Sequence, residues 1–260
     1  PPPPPPPPPP LSFFHPEHGI RYRSPSRGLG DVYKRQVRAA AIAALARCKT
    51  GMNQTPLAAM VLSQDYATRA NAAMALGEIG NPSAAGLLRA ALNKPIQASD
   101  PVVVRVSEME LSEALVRLGD RSQLETIRAA FFAPADQGEL TALAAQMAGR
   151  LKDETLAPAM LAMVTGEGPR KPGPELRLII ADALLRMRPV LAQQVSPLAI
   201  EQSTTRLSEV RMLAAAVLAH DASPASEAVL NRLLEDPEPR VRIAAAGAML
   251  RQAGSEAGIR

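Results

Sequence analysis

From Gln36 onward the chain alternates apolar segments of helical period with short breaks at Gly, Pro, Asn and Asp, and no segment shows the period-2 alternation of a half-buried strand. Aligning the first helix of each segment pair gives a register position occupied by Arg38, Arg69, Glu108, Thr141, Arg177, Arg211 and Arg242. Successive positions lie between 31 residues (38 to 69) and 39 residues (69 to 108) apart. Three residues after the register come Ala41, Ala72, Leu111, Ala144, Ile180, Ala214 and Ala245. Six after it come Ala44, Ala75, Ala114, Met147, Ala183, Val217 and Ala248, and seven after it Leu45, Leu76, Leu115, Ala148, Leu184, Leu218 and Met249. Offsets of three, six and seven share one side of an α-helix, so each repeat is expected to bury the same stripe against its neighbours. The small residues let adjacent helices approach, and the larger one at offset seven fills the remaining gap.

Each first helix is followed by a turn and a second apolar segment. Gly80-Asn81-Pro82 and Gly119-Asp120-Arg121 carry the chemistry of such a turn: Gly for a left-handed cap, then Asn or Asp to cap the next helix. Aligning the two turns superposes Ala85 on Leu124, Leu88 on Ile127 and Leu92 on Phe131 as inward-facing pairs. Later second helices are predicted over residues 153–164, 190–201 and 224–234, with Pro158 and Pro197 expected to interrupt the first two of these. Asp100-Pro101 places the start of a longer first helix in the third repeat, because Pro is tolerated where the amide would be unpaired anyway. The seventh repeat shows a first helix through Gln252 and then no second one, and the sequence begins without Met, so the array is expected to be truncated.

The segments Gln36-Val37-Arg38-Ala39-Ala40-Ala41 and Asp236-Pro237-Glu238-Pro239-Arg240-Val241-Arg242-Ile243-Ala244-Ala245, with the turns at Gly80 and Gly119, resemble the HEAT-repeat family. The resemblance includes the variants found in phycobilisome-lyase-like proteins and covers about residues 37–252. It implies an all-α fold, an α-solenoid of about seven HEAT-like helical-hairpin repeats, with second helices lining a concave, partner-binding surface. It also implies that the recurrent Arg joins an Asp in a ladder between repeats. The fourth repeat departs most, with Thr141 where Arg is usual and no Asp-Pro entry.

Composition agrees with a repeat array. Of 260 residues 47% are hydrophobic, yet there is no Trp and aromatics make up 3%, which suits many thin helix interfaces rather than one thick core. The net charge of +4 does not belong to the array. Residues 1–35 carry Arg21, Arg23, Arg27, Lys34 and Arg35 against Glu17 and Asp31, leaving 24 basic and 23 acidic side chains for the rest. That near-neutral balance, with Tyr66, Phe131 and Phe132 as the array's aromatics, argues against nucleic acid as the partner. Two domains are expected: residues 1–36 as a disordered Pro-rich tail, and 37–260 as the repeat domain. Within the tail, residues 24–36 resemble translated sequencing-adaptor read-through, and the ten opening prolines are what a single-nucleotide run would encode. The tail, including His15 and His18, is therefore set aside.

Four residues are candidate partner contacts. Arg89 and Arg128 occupy equivalent positions beside the buried stripes of their second helices, and Arg170 and Lys171 sit in the long break between residues 165 and 174. Catalytic chemistry has little to work with. His220-Asp221 is the array's one acid–histidine neighbour pair, at a helix end where the dipole favours an imidazole. A lone His220 excludes a multi-histidine metal site in the array, and Cys48, the single cysteine, excludes an intramolecular disulfide and reads as packing. No cofactor and no catalytic residue is assigned. The expected function is a non-catalytic protein-binding scaffold using the concave face. The alternatives are a HEAT-like lyase or chaperone for a tetrapyrrole-bearing protein and, behind it, a DNA-binding or DNA-repair array. No stretch is apolar enough to span a membrane, and the cytoplasm is the default expectation for a chain without a readable address.

Overall fold

The computed structural model describes residues 55–168 and 170–257. The Pro-rich tail and the predicted helix carrying Arg38, Ala41, Ala44, Leu45 and Cys48 lie outside the described residues. What is described is a succession of helical pairs, with no strand among the described residues. In chain order the helices are α1 (Thr55–Val61), α2 (Tyr66–Ile79), α3 (Ala85–Leu92), α4 (Pro101–Arg117), α5 (Leu124–Phe131) and α6 (Gly138–Leu151). They continue with α7 (Ala157–Thr165), α8 (Pro174–Met187), α9 (Ala192–Gln202), α10 (Ser208–Leu218), α11 (Pro224–Leu234) and α12 (Pro239–Ala257). The even-numbered helices are the first helices of repeats two to seven. Each packs along its length on the neighbouring first helices and on the second helix of the preceding repeat, touches its own second helix less, and second helices touch one another sparsely.

The register explains the packing. Every described residue at offsets three, six and seven is buried except Met249, which is half-buried. The inward-facing pairs on α3 and α5 behave as aligned, with Leu88, Ile127 and Phe131 fully buried. Local chemistry sets the helix ends. Asp65 Oδ2 accepts from the Thr68 amide at 2.8 Å to start α2, and Asp100 Oδ1 accepts from the Val102 amide at 2.8 Å to start α4, with Pro101 in its first turn. The turns after α2, α4 and α6 pass through the left-handed region at Gly80 (φ 71°), Gly119 (φ 102°) and Lys152 (φ 53°). Lys152 shows that the fourth repeat keeps this turn without a glycine.

Glycine is needed for another reason at two positions. A Cβ on Gly149 of α6 would lie 2.9 Å from the Ala183 carbonyl oxygen and 3.1 Å from its Cα on α8. A Cβ on Gly77 of α2 would lie 3.1 Å from the Ala114 Cα on α4. Both glycines stand eight residues after the register and both alanines six after it, so the same backbone-to-backbone contact recurs between first helices.

The structure corrects three local expectations. Second helices α3, α5, α7 and α9 each begin with a 3-10 turn, at Pro82–Ala84, Arg121–Gln123, Glu154–Leu156 and Pro189–Leu191. Pro158 therefore falls in the first turn of α7, where it costs no hydrogen bond, and interrupts nothing. Helix α9 runs through Pro197, forgoing the bond its missing amide would have given the Gln193 carbonyl. Finally, α12 continues past Gln252 to Ala257.

Candidate functional site

The strongest polar chemistry in the molecule lies between repeats. The register arginines grip the connections that join one repeat to the next. Arg69 donates to the Ser63 and Lys94 carbonyls, each at 2.9 Å, Arg177 to Val164 O at 3.1 Å, and Arg242 to Asp236 O at 2.8 Å. Arg211 is the one described register arginine that forms the expected pair with an aspartate. It donates to both Asp236 oxygens at 2.7 and 2.8 Å and holds that carboxyl below the usual range. The expected Asp–Arg ladder thus fails at this register, because carbonyl oxygens of the connecting turns take the aspartate's place.

A ladder does run along the second helices, through residues singled out from the sequence. Arg89 on α3 donates to Asp120 Oδ2 at 3.1 and 2.8 Å. One repeat on, Arg128 on α5 donates to both Asp153 oxygens at 2.8 Å, to Thr155 Oγ1 at 3.0 Å and to Glu125. Asp120 and Asp153 are the turn residues of the following repeats. The Arg128 fork pulls the Asp153 carboxyl down against the opposing effect of burial, and the carboxylates raise the guanidinium in turn. Arg128, 24% exposed, is committed to the stack, while Arg89 keeps 54% of its side chain in solvent.

A second ladder, which the sequence reading missed, runs along the first helices. Five residues after the register stand Glu113 and Asp182, and nine after it Arg117, Arg150, Arg186 and His220. Each acid is held from both sides. Glu113 accepts from Arg117 in its own helix at 2.9 Å and from Arg150 in the next first helix at 2.8 Å. Asp182 accepts from Arg186 at 3.0 Å and faces His220 Nε2 of the next repeat at 2.8 Å. Burial would raise the Asp182 carboxyl, but the His220 hydrogen bond and the Arg186 charge outweigh it and hold it low. His220 is thus tied to Asp182 rather than to its sequence neighbour Asp221, which instead accepts from Ser226 Oγ at 2.6 Å and Ser223 Oγ at 3.0 Å.

Beside this ladder sits Glu110, 9% exposed on α4. Burial, and then repulsion from Glu113, push its carboxyl up to about 8, so it keeps its proton at neutral pH beside an ionised neighbour. A protonated and an ionised carboxyl side by side can serve as acid and base. Here the ionised member is locked to two arginines between stacked helices.

The other candidate lies at the edge where second helices end and first helices begin. Arg170 donates from Nη2 to the Phe132 carbonyl at 2.7 Å, tying its position before α8 to the end of α5, and the neighbouring Lys171 is exposed. Phe132 is itself 53% exposed, with its ring 5.2 Å from that of buried Phe131 at an interplanar angle of 87°. The residues that follow it, Ala133 and Pro134, help line a cleft of about 240 Å³ together with Pro101, Val102, Arg105, Ala129 and Gln137, among others. Among the described residues no group of three or more His, Cys, Asp or Glu is placed to hold a metal ion, and no helix is long and apolar enough to cross a membrane.

Residues 33–112 match the family model of HEAT repeats. That stretch carries HEAT repeats. The described array is a HEAT-like α-solenoid, an architecture that is typically non-enzymatic and that generally serves as a scaffold for protein interaction. The HEAT-like stack is also similar to a crystal structure of an engineered protein, at 17% identity and a TM-score of 0.43, over 78% of this chain and 98% of that one. No curated protein matches the sequence.

Proposed function

We propose that this chain is a non-catalytic scaffold that binds another protein. The observation that carries this reading is Phe132. A half-exposed aromatic ring, braced edge-on by a buried one, with a cleft lined by the residues that follow it and a cationic loop tied to its carbonyl, has the make-up of a binding anchor. Tyr, Trp, Phe and Arg dominate interface energetics because they bury much area for few rotatable bonds. The partner we propose places an apolar side chain in the cleft beside Pro134 and an acidic group against Lys171. Arg170 shapes the loop, and Arg89 adds a reachable cation on the second-helix side, the face expected from the resemblance to be concave. A protein partner is favoured over nucleic acid because the array's charges are nearly balanced.

The test compares captures from the source cells on immobilised wild type and on Phe132→Ala and Lys171→Glu variants, read by quantitative mass spectrometry. A protein retained by wild type and depleted about tenfold by Phe132→Ala, the loss expected for one anchor residue, supports the reading. Identical captures on all three baits refute it.

A further inference from the structure

Helix α4 is longer than its counterparts at one end. The other described first helices start three residues before their register positions, at Tyr66, Gly138, Pro174, Ser208 and Pro239, whereas α4 starts seven before, at Pro101. This added turn and the connection from α5 to α6 enclose the cleft of about 240 Å³. Pro101, Val102 and Arg105 line it from α4, and Ala133, Pro134 and Gln137 from the connection. Buried Ala130, Ala133 and Leu140 make its floor, and exposed Pro101, Ala129 and Pro134 its rim. Alanines at the floor leave the space that larger side chains would fill.

Two polar residues complete the lining, and neither is saturated. Arg105 stands where the other first helices begin, and it is the one charged residue that lines the cleft. It meets Glu108 through Nη1 alone, at 3.2 Å, in a pair whose side chains are 39% and 34% exposed. Such a pair contributes little and leaves the Nε and Nη2 edge of the guanidinium available. Asp100, beside the added turn, is engaged by the Val102 amide at 2.8 Å. Gln137 bonds the Pro134 carbonyl through its backbone amide, and its side-chain amide has no partner among the described residues.

Building on the protein-binding role proposed for this edge, we infer that the cleft receives the C-terminal residue of the partner, its carboxylate on Arg105 and its aliphatic side chain on Ala130, Ala133 and Leu140. A cation and an apolar floor in one small cleft call for a negative charge and an apolar branch on the same residue. An internal Asp or Glu brings the charge without the branch, and a chain ending in Val, Leu or Ile brings both. The volume sets the size of the occupant, since pockets that bury a drug-sized ligand run from roughly 300 to 1,000 Å³ and this one is smaller. A guanidinium edge matches a carboxylate with two parallel hydrogen bonds, and the Gln137 amide is free to hold the last peptide group.

Methyl NMR of the labelled protein at pH 7 decides the matter, with three probes titrated to about 20 mM, a range suited to the weak binding of a single residue. The probes are N-acetyl-Gly-Gly-Leu as the free acid, the same peptide as its C-terminal amide, and N-acetyl-Gly-Glu-Gly amide, whose one carboxylate is internal. The free acid is expected to shift the methyl groups of Val102, Ala129, Ala130, Ala133 and Leu140, and the two amides to bind at least about tenfold more weakly. Arg105→Gln, a change at a side chain more than a third exposed, is expected to keep the helical spectrum and to bring the free acid down to the level of its amide. Methyl groups that do not move, an amide that binds as well as the free acid, or a preference that survives Arg105→Gln each overturns the inference. Failure here is separable from failure of the scaffold role: a protein lost from the Phe132→Ala bait while the free acid shifts no methyl group keeps that role and removes the C-terminal mode.

Discussion

Replacing Glu110 by Gln should remove a pH dependence of stability that one buried carboxyl imposes. In the folded chain its pKa is raised from 4.5 to about 8, first by burial and then by Glu113, with Arg150 and Arg117 offsetting part of the effect. The unfolded chain gives up this proton above about pH 4.5 while the folded one keeps it to about 8. In that window the folded state binds more protons and stability falls as pH rises. At about 1.4 kcal/mol per pH unit the loss accumulates to about 5 kcal/mol, a large share of the 5–15 kcal/mol typical of a folded protein. Glutamine has the shape of the protonated acid and cannot ionise. Glu110→Gln should therefore match wild type at pH 5 and exceed it by about 3–5 kcal/mol at pH 8.5. Below pH 4.5 the sign reverses. Glu113, Asp153, Asp182 and Asp236 have lowered folded pKa values, so the stability they contribute is present above the unfolded carboxylate range and is lost as pH falls through the folded values. Wild type should be most stable near pH 5. Urea denaturation followed by circular dichroism at half-unit steps from pH 3 to 9 reads both limbs. Parallel wild-type and variant profiles between pH 5 and 8.5 would refute the assignment of the neutral limb to Glu110.

Two further outcomes test the packing and the ladders. Gly149→Ala should lower stability by about 1–3 kcal/mol although alanine is the better helix former, because the added Cβ meets the Ala183 backbone, while Gly247→Ala, with open space around it, should raise stability by about 0.5–1 kcal/mol. Thermal melts of the two variants at 10 µM and pH 6 suffice, and a stabilised Gly149→Ala would contradict the close approach. A double-mutant cycle on Arg128 and Asp153, each to Ala, should show coupling of about 1–2 kcal/mol, since the pair is bidentate and Asp153 is buried, whereas the cycle on solvent-facing Arg89 and Asp120 should show markedly less.

The apolar architecture was legible because burial repeats with the helix. The row through Ala72, Leu111, Ala144, Ile180, Ala214 and Ala245 needed no structure to be seen, and neither did the helix start at Asp100-Pro101 or the turn at Gly80. Polar pairing was less legible because each partner sits about a repeat away. Arg89 and Arg128 were recognised as equivalent, Asp120 as a turn residue and Asp153 as the start of a second helix, yet nothing local joins the two rows. The row of Glu113 and Asp182 and the row of Arg117, Arg150, Arg186 and His220 were present at fixed offsets, so an alignment of polar as well as apolar positions would have exposed the second ladder. Phe132 also left a signal. Consecutive phenylalanines on a helix point about 100° apart, so with Phe131 inward the second ring must lie toward the rim.

The ladders are not continuous, and where they lapse says why the proposed binding edge lies where it does. Between the third and fourth repeats both are present, as Glu113–Arg150 and Arg128–Asp153. Between the fourth and fifth, Gln146 takes the acid's place, its Oε1 buried without a partner, and Leu161 takes the arginine's. The charge pair seen at this junction is Arg188–Glu154, 3.3 Å apart and half in solvent, which contributes little. Contact between α6 and α8 must then rest on apolar packing and on the approach of Gly149 to Ala183. The strap from Arg170 to the Phe132 carbonyl spans the fourth repeat, tying the loop before α8 to the end of α5. A partner that gripped Phe132 and Lys171 together would bridge the end of the third repeat and the connection into the fifth. Its binding energy would act on the angle between them, an effect that a site within one helical hairpin could not produce.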